Sequence, residues 1–244
     1  MSKKIIIPIV VAFSFMLIGA IAFVGVMSFL SWDFMALNTA SYETNVYTIN
    51  EQFENISINT NTVDVSILKS YDGTCKIECV EYKRENHNVS VKDNTLNIDL
   101  IDTREWHDHI TVFEFGSAKI NVYLPQDKYN EVKVSVTTGD LEILDNFVFG
   151  NIEIKGTTSD IDLSNITADN MDVSLTTGDV ELDRCDANEI YIKTSTGDVE
   201  GSLLSDKIFI CSTTTGDIDV PQATNGGRCE IVTTTGDIDI EIIK

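Results

Sequence analysis

Apolar and polar residues alternate through most of the C-terminal half of the chain, and a short motif punctuates this alternation six times. The motif reads Thr-Thr-Gly-Asp, or a close variant, followed by an apolar, an acidic and an apolar residue. Its glycine position is occupied by Gly139, Ser159, Gly178, Gly197, Gly216 and Gly236, at separations of 20, 19, 19, 19 and 20 residues. Since a period of two residues is typical of β-strands, each copy predicts one strand before the turn and one after it.

Four apolar columns appear when the six copies are aligned on the glycine position. They lie seven and five residues before that position and two and four residues after it, and Gly201 interrupts the last of them. One copy alone buries too little apolar surface to fold, so neighbouring copies are expected to stack. The sequence therefore predicts an all-β fold, a β-solenoid of 19–20-residue repeats with parallel pairing between successive copies. An antiparallel sandwich is the alternative.

The glycine position is expected to have a positive φ, which glycine adopts without steric cost. Ser159 departs from this pattern and predicts either strain or a different turn. Two degenerate copies are expected upstream, with Asn61 and Asn94 at the turn position, because asparagine is the next best residue at positive φ. The repeat domain is therefore predicted to begin near Phe53.

The N-terminal segment is apolar without alternation. Residues 5–32 contain no charged side chain, and this length exceeds the roughly 20 residues that a helix needs to cross a bilayer. Lys3 and Lys4 precede it, which favours a cytoplasmic N-terminus. The prediction is a single-pass cell-membrane protein with a cytoplasmic N-terminus (1–4), a transmembrane helix (5–32), a polar stem (33–52) and an extracytoplasmic β-strand-repeat domain (53–244). A signal peptide cleaved after Ala22 is the alternative, although the residues that follow Ala22 remain strongly apolar.

The net charge of the chain limits the kinds of partner that it is expected to bind. The chain has 39 acidic residues against 17 Lys plus Arg, a formal net charge of −22. Nucleic-acid binding requires clustered basic residues, so we do not expect this chain to bind nucleic acid. The negative charge also disfavours direct adhesion to anionic lipid. Cations, or proteins with basic patches, fit this charge better.

Two columns of acidic residues follow the turns. The first contains Asp140, Asp160, Asp179, Asp198, Asp217 and Asp237, and the second contains Glu142, Asp162, Glu181, Glu200, Asp219 and Asp239. The favoured interpretation is structural: the first aspartate caps its own turn through backbone N–H groups, and the second acid lies on a solvated face. The alternative is an oxygen-rich strip that binds calcium, for which the first column supplies the candidate ligands. No other cofactor is expected.

Five cysteines are present, and none forms a Cys-x-x-Cys pair. Cys185, Cys211 and Cys229 fall on inward positions of the repeat and are expected to be buried apolar residues. A Cys211–Cys229 disulfide is the less favoured alternative, because the two residues occupy different columns. Cys75 and Cys79 lie four residues apart on one predicted strand, which is too far for a disulfide without a bend.

One segment interrupts the repeat and carries a cluster of potential metal ligands, namely Glu105, His107, Asp108 and His109. A polar loop is the favoured interpretation of this cluster and a metal site the alternative. No serine-hydrolase, zinc-protease or phosphate-loop motif occurs, so an enzyme is not expected. Lys155 and Lys193 beside the acidic columns leave a polysaccharide lyase as a weak alternative.

The last strand predicts an interaction site. If the copies stack in chain order, the final strand is an uncapped edge whose backbone groups lack partners, and such an edge tends to pair with another chain. The candidate protein-interaction edge is Asp237, Ile238, Asp239, Ile240, Glu241 and Ile242. The expected occupant is a second copy of the chain or a protein partner.

The repeated TTGD-[ILV]-[DE]-[ILV] motif and the segment from Lys119 to Pro125 resemble a bacterial β-strand-repeat family of unknown function, provisionally designated adhesins and also called the toast-rack domain. The resemblance covers roughly residues 53–244. It implies a β-solenoid-like fold on the cell-surface side of a bacterial membrane and a part in envelope-stress sensing, and it supplies no catalytic residues. The expected function is a non-enzymatic, membrane-anchored, extracytoplasmic interaction domain that senses or scaffolds. A surface adhesin for glycan or matrix, with or without calcium, is the alternative.

Overall fold

The computed structural model describes residues 3–32, 42–82, 85–102 and 118–243. These contain one helix, α1 (Lys3–Phe29), and eighteen strands. The strands are β1 (Tyr42–Ile49), β2 (Asn55–Thr62), β3 (Asp64–Lys69), β4 (Cys75–Tyr82), β5 (Glu85–Lys92), β6 (Thr95–Asp102), β7 (Lys119–Leu124), β8 (Lys128–Thr138), β9 (Leu141–Ile143), β10 (Phe147–Thr158), β11 (Ile161–Ser164), β12 (Ile166–Thr177), β13 (Val180–Lys193), β14 (Val199–Leu203), β15 (Lys207–Ser212), β16 (Ile218–Asp219), β17 (Gly227–Val232) and β18 (Ile238–Ile242).

Helix α1 contains a stretch, Val11–Phe29, that is long and apolar enough to cross a membrane. This finding concerns length and composition, and an N-terminal signal sequence would meet the same test. The helix ends at Phe29, three residues before the predicted end of the apolar segment. Ser31 and Trp32 follow with positive φ values of 53° and 60°, which a continuing α-helix does not have.

The strands form two sheets, one from strands before the turns and one from strands after them. The first sheet has the order β5, β6, β2, β8, β10, β12, β13, β17, β15. The second has the order β1, β4, β7, β3, β9, β11, β13, β14, β18, β16. Strand β13 contributes its first residues to the second sheet and its last residues to the first. We use the term layer for two strands that follow each other in the chain, the first in one sheet and the second in the other.

The first four copies of the motif stack as the periodicity predicts. Ile152 pairs in parallel with Val132 on one side and with Met171 on the other, and Ile161 lies between Leu141 and Val180 in the second sheet. The inward columns of these copies are buried, except at the half-buried Gly201. Alternation places every second side chain between the two sheets, so burial of the aliphatic columns holds the layers together.

The order of layers departs from the order of the chain at both ends. The sixth copy, β17 and β18, lies between the fourth copy and the fifth. At the other end, β2 and β3 lie between the layer of β6 and β7 and the first copy. The expectation that each copy stacks on the next is therefore wrong for the terminal layers. The fifth and sixth copies share the turn sequence Thr-Thr-Gly-Asp-Ile-Asp, so this motif does not indicate which of them packs on the fourth.

Antiparallel strands cover the N-terminal end of the stack. Strand β1 pairs with β4, β4 pairs with β7, and β5 pairs with β6. The predicted stem is therefore wrong for Tyr42–Ile49, which is a strand of the sheet. The second degenerate copy is also misassigned, because Asn94 has a φ of 61° in the hairpin between β5 and β6 rather than in a layer turn. Asn61 is wrong as a turn position too: it lies within β2 without a positive φ, and Val63 occupies the place of the turn glycine in this layer, since Thr62 pairs with Thr138 and Val65 pairs with Leu141.

The turn glycines are required by close contact as well as by conformation. Gly178 has a φ of 138°, and a Cβ added there would lie 1.8 Å from the carbonyl oxygen of Ser159 in the adjacent layer. Ser159 itself does not have a positive φ, so it adopts the different turn that its sequence predicted. Its buried side chain fits because Gly156 leaves space: a Cβ on Gly156 would lie 3.1 Å from the Ser159 Oγ.

Candidate functional site

The final strand is not the edge of the stack. Ile238 of β18 pairs with Val199 of β14 on one side and with Ile218 of β16 on the other. The predicted interaction edge at Asp237, Ile238, Asp239, Ile240, Glu241 and Ile242 is thus displaced, because the sixth copy is inserted beneath the fifth. Ile238 and Ile240 are buried as a consequence.

The fifth copy forms the open end of the stack. Strand β15 pairs with β17 alone, and β16 pairs with β18 alone, among the described residues. Ile208, Ile210 and Ile218 have exposed fractions of 43%, 48% and 44%. Phe209 and Cys211 point inward but are half-buried, although the same columns in the other copies are buried. We call β15, β16 and these side chains the end layer; it is an apolar surface beside an unpaired strand.

Strand β15 differs from the other edge strands in the described part of the chain. Edge strands are usually protected by charged residues, proline or short length. Strand β1 carries the charged Glu43, β5 carries the exposed Lys92, and β16 has two residues with Pro221 close behind. The one charged residue of β15 is Lys207, whose ammonium group is buried and hydrogen-bonded to Asp186 and Ser205.

The first acidic column forms a ladder of hydrogen bonds. The backbone N–H of Asp179 donates to Oδ1 of Asp160 at 2.9 Å, and the N–H of Asp198 donates to Oδ1 of Asp179 at 2.8 Å. The ladder runs from Asp64 through Asp140, Asp160, Asp179, Asp198 and Asp237 to Asp217. The expected capping role is present, except that each carboxylate caps the adjacent layer rather than its own turn. One oxygen of each capping carboxylate is engaged in this way.

The second acidic column lines an open groove of about 360 Å³. The acidic residues that line the groove are Glu181, Asp183, Glu200, Asp239 and Glu241. The groove lies where Gly201 interrupts the apolar column and where the pairing of β13 with β14 shifts register. On the same column, burial raises the pKa of the Asp162 carboxyl, which disfavours its charged form.

A buried polar cluster lies on the strands that cover the other end of the stack. It consists of Cys79 and Glu81 on β4 and His87 on β5, all buried. Burial and the charge of Glu81 raise the pKa of the Cys79 thiol to about 12. Burial, followed by the charges of Glu81 and Cys79, also raises the pKa of Tyr47.

The spacing of these three residues along the chain matches no known metal-binding motif, so the sequence alone did not predict this cluster. One signal was available: alternation on β4 places Cys79 and Glu81 on the inward face, and a carboxylate is rarely buried without a partner. His87 belongs to the next strand and has no recognisable spacing to the other two residues. The predicted cluster at Glu105, His107, Asp108 and His109 lies outside the described residues.

All five cysteines are free thiols. Cys185 and Cys229 are buried as predicted, whereas Cys211 is half-buried because it belongs to the end layer. Cys211 pairs with Ile231, and Cys229 pairs with Phe209, so the two cysteines do not face each other. Cys75 and Cys79 are both buried on β4.

Comparison with known proteins identifies a family and a fold. The model of the family described as Toastrack DUF4097 matches residues 53–244. The crystal structure of a protein from Clostridium sporogenes, provisionally designated a cell adhesion protein, is 12% identical, covers 83% of this chain and 100% of its own, and has a TM-score of 0.53. A protein from Bacteroides fragilis, provisionally designated an adhesin, is 18% identical, with coverages of 82% and 97% and a TM-score of 0.53. No curated protein sequence matches the chain.

Proposed function

Since the chain belongs to the Toastrack DUF4097 family, whose function is unknown, we propose that it is a non-enzymatic interaction domain held at the outer face of a cell membrane by helix α1. The apolar stretch Val11–Phe29 is long enough for the anchor, and the preceding Lys3 and Lys4 favour a cytoplasmic N-terminus. Within the envelope the domain would sense or scaffold a stress response, as the family resemblance implies.

The repeats are best described, in this proposal, as a β-solenoid of 19–20-residue copies with exchanged terminal layers. The support is the parallel in-register pairing that continues from β8 through β10 and β12 to β13.

The end layer is the proposed interaction surface, and its occupant is a second copy of the chain. The observation that carries this proposal is that β15 has a neighbour on one side only while Ile208 and Ile210 lie exposed beside the open edge. Two copies can pair β15 with β15 in antiparallel orientation around a two-fold axis. The backbone groups then find partners, and the isoleucines of one copy pack on those of the other.

The distribution of charge around β15 also favours a second copy of the chain as the binding partner. The chain carries a formal net charge of −22, so most of its surface would repel another copy. Strand β15 is an exception, since its sole charge, Lys207, is compensated by Asp186. Two β15 strands can therefore approach without a pair of unpaired like charges on opposing strands.

The test is sedimentation equilibrium of the full chain in detergent across a range of concentrations. We expect a dimer that dissociates in Ile210→Lys, because a lysine on an edge strand blocks pairing. The control is Val148→Lys on β10, where the exposed fraction is 43%, but both sides of the strand are paired. The control should remain dimeric. A monomeric wild-type chain, or an Ile210→Lys variant that associates as strongly as wild type, would show that the end layer is not a dimer interface.

The provisional adhesin designation of the structural neighbours favours a second candidate, a surface adhesin for glycan or matrix. The acidic groove at Glu200 and Glu241 is the surface at which calcium would assist such binding. A glycan array probed with the full chain, with and without a chelator, tests it. Chelator-sensitive binding to specific glycans supports the adhesin, and an array without bound glycans counts against it.

A further inference from the structure

Three side chains with different metal-binding atoms converge in the buried cluster that covers the N-terminal end of the stack. The Sγ of Cys79, a carboxylate oxygen of Glu81 and a ring nitrogen of His87 all lie within 4.8 Å of one another. The exposed fractions of the three residues are 0%, 1% and 2%. Strand alternation places Cys79 and Glu81 on the same face of β4, and β5 brings His87 back against them.

The outer atoms of the cluster are held by neighbouring strands. Asn45 of β1 donates to Glu81 Oε1 at 2.7 Å, and Thr60 of β2 is hydrogen-bonded to His87 Nε2 at 2.9 Å. Glu81 Oε2 and His87 Nδ1 face each other at 2.7 Å, and Glu81 Oε2 also accepts the backbone N–H of His87 at 2.8 Å. Metal-binding histidines usually have their second ring nitrogen hydrogen-bonded, and metal-binding carboxylates are held in the same way. Thr60 and Asn45 occupy these two supporting positions.

We propose that Cys79 Sγ, Glu81 Oε2 and His87 Nδ1 bind one zinc ion. Zinc accepts sulfur, nitrogen and oxygen donors together, whereas calcium and magnesium require oxygen donors. With zinc bonds of about 2.0–2.1 Å in a tetrahedron, the nitrogen and oxygen ligands lie roughly 3.3 Å apart. The Glu81–His87 contact therefore has to open by about 0.6 Å for the ion to enter between the two atoms.

Charge and protons balance in this step. The zinc ion replaces the proton of the Cys79 thiol and the proton shared between His87 Nδ1 and Glu81 Oε2, which are released to solvent. The two positive charges of the ion then compensate one thiolate and one carboxylate. Within the described residues, the sole ion-pair partner of Glu81 is His87, so once the shared proton has left, the ion would take over the charge compensation of the buried carboxylate.

The bound ion would tie together the strands that cover the stack. Its ligands come from β4 and β5, and the supporting hydrogen bonds come from β1 and β2. Three protein ligands leave one position of the tetrahedron for a water molecule or another small ligand. The expected consequence is a covering of the stack whose stability depends on zinc, independent of whether the end layer dimerises.

The experiment uses the full chain in detergent, freed of metal with a chelator and then supplied with zinc chloride. We expect one zinc per chain after dialysis, measured by elemental analysis, and a higher Tm. Cobalt(II) in place of zinc should give the charge-transfer absorption of a thiolate ligand. Cys79→Ser should lose that absorption, and Thr60→Val should weaken zinc binding about tenfold or more through the supporting hydrogen bond.

The matched control is Cys229→Ser, which removes another buried thiol and should keep both the zinc and the cobalt absorption. A wild-type chain that retains no zinc, or that binds cobalt without the thiolate absorption, would overturn the proposal. So would Cys79→Ser that binds zinc as tightly as Cys229→Ser. If Cys79→Ser fails to fold, the spectrum and stoichiometry of the wild-type chain decide by themselves.

Discussion

The backbone N–H of Asp217 donates a 2.7 Å hydrogen bond to Oδ1 of Asp237, although Asp237 comes twenty residues later in the chain. At the other steps of the ladder the donor follows its acceptor, as Asp198 follows Asp179. The direction reverses at this one step because the sixth copy packs directly on the fourth and the fifth copy packs outside it. The open end of the stack is consequently made by an internal segment of the chain and not by its final strand.

Ile218 and Ile238 occupy the same column of the repeat, and their different burial provides a test of this order of layers. Ile238 is buried between β14 and β16, whereas Ile218 lies exposed in the end layer. Ile238→Ala should lower the free energy of unfolding by about 2–5 kcal/mol, as is usual for a buried isoleucine. Ile218→Ala should cost less than about 1 kcal/mol. Urea unfolding of both variants at low protein concentration measures the difference, and the opposite ranking would restore stacking in chain order.

The close contact at the turns predicts that a methyl group is not tolerated there. Gly178→Ala places a Cβ against the Ser159 carbonyl, whereas Gly73→Ala, at a φ of 75°, meets no atom within 4 Å. Gly73→Ala should therefore cost about 1–2 kcal/mol for its backbone conformation alone. Gly178→Ala should cost at least about 2 kcal/mol more, because the adjacent layer has to move. Equal shifts in thermal unfolding would mean that the contact is unimportant.

The carboxylate ladder predicts that an acceptor oxygen matters more than a negative charge. Asp198 Oδ1 accepts the N–H of Asp237 at 2.7 Å, so Asp198→Ala should destabilise the domain by about 1 kcal/mol. Asp198→Asn keeps an acceptor and removes a like charge from the column, and it should be neutral or stabilising. Asp217 is the matched control, because within the described residues no backbone N–H donates to its carboxylate. Denaturant midpoints for Asp198→Ala and Asp217→Ala that coincide would argue against the ladder.

Thiol labelling gives an independent test of which copy, the fifth or the sixth, lies at the open end of the stack. Burial raises the pKa of Cys229 to about 12 and also raises that of Cys211, so near pH 8 both are thiols in the folded chain and access decides the rate. Cys211, half-buried in the end layer, should react first, and Cys229 should react mainly after unfolding. Mass spectrometry of the labelled peptides at low protein concentration measures the order. Faster labelling of Cys229 would place the sixth copy outermost.

The local pattern was sufficient to predict the strands, the turns and the inward columns of the repeats. Alternation around Ile152 and Ile161 specifies which side chains face inward, because each strand has two faces and one of them is apolar. The turn glycines were predictable for a similar local reason, and Ser159 was correctly distinguished from them. The apolar N-terminal stretch was also recognisable from composition, since helix α1 needs no tertiary partner to be identified.

The buried cluster of Cys79, Glu81 and His87 could not be predicted in the same way. Its residues belong to antiparallel strands whose pairing is set by how they cover the end of the stack. The mistaken assignment at Asn94 has the same origin, because a hairpin turn and a layer turn both favour asparagine at positive φ. The positive φ of Asn94 was predicted correctly, but the turn in which Asn94 lies was not.

The sequence by itself determined that stacked β-layers form and which face of each strand they bury, because period and side-chain type act within a few residues. The tertiary structure decided which layer lies next to which. Copies five and six carry the same Thr-Thr-Gly-Asp-Ile-Asp turn, so this local motif does not distinguish the two orders. The choice depends on contacts between distant segments, and it leaves Ile218 exposed and Ile238 buried.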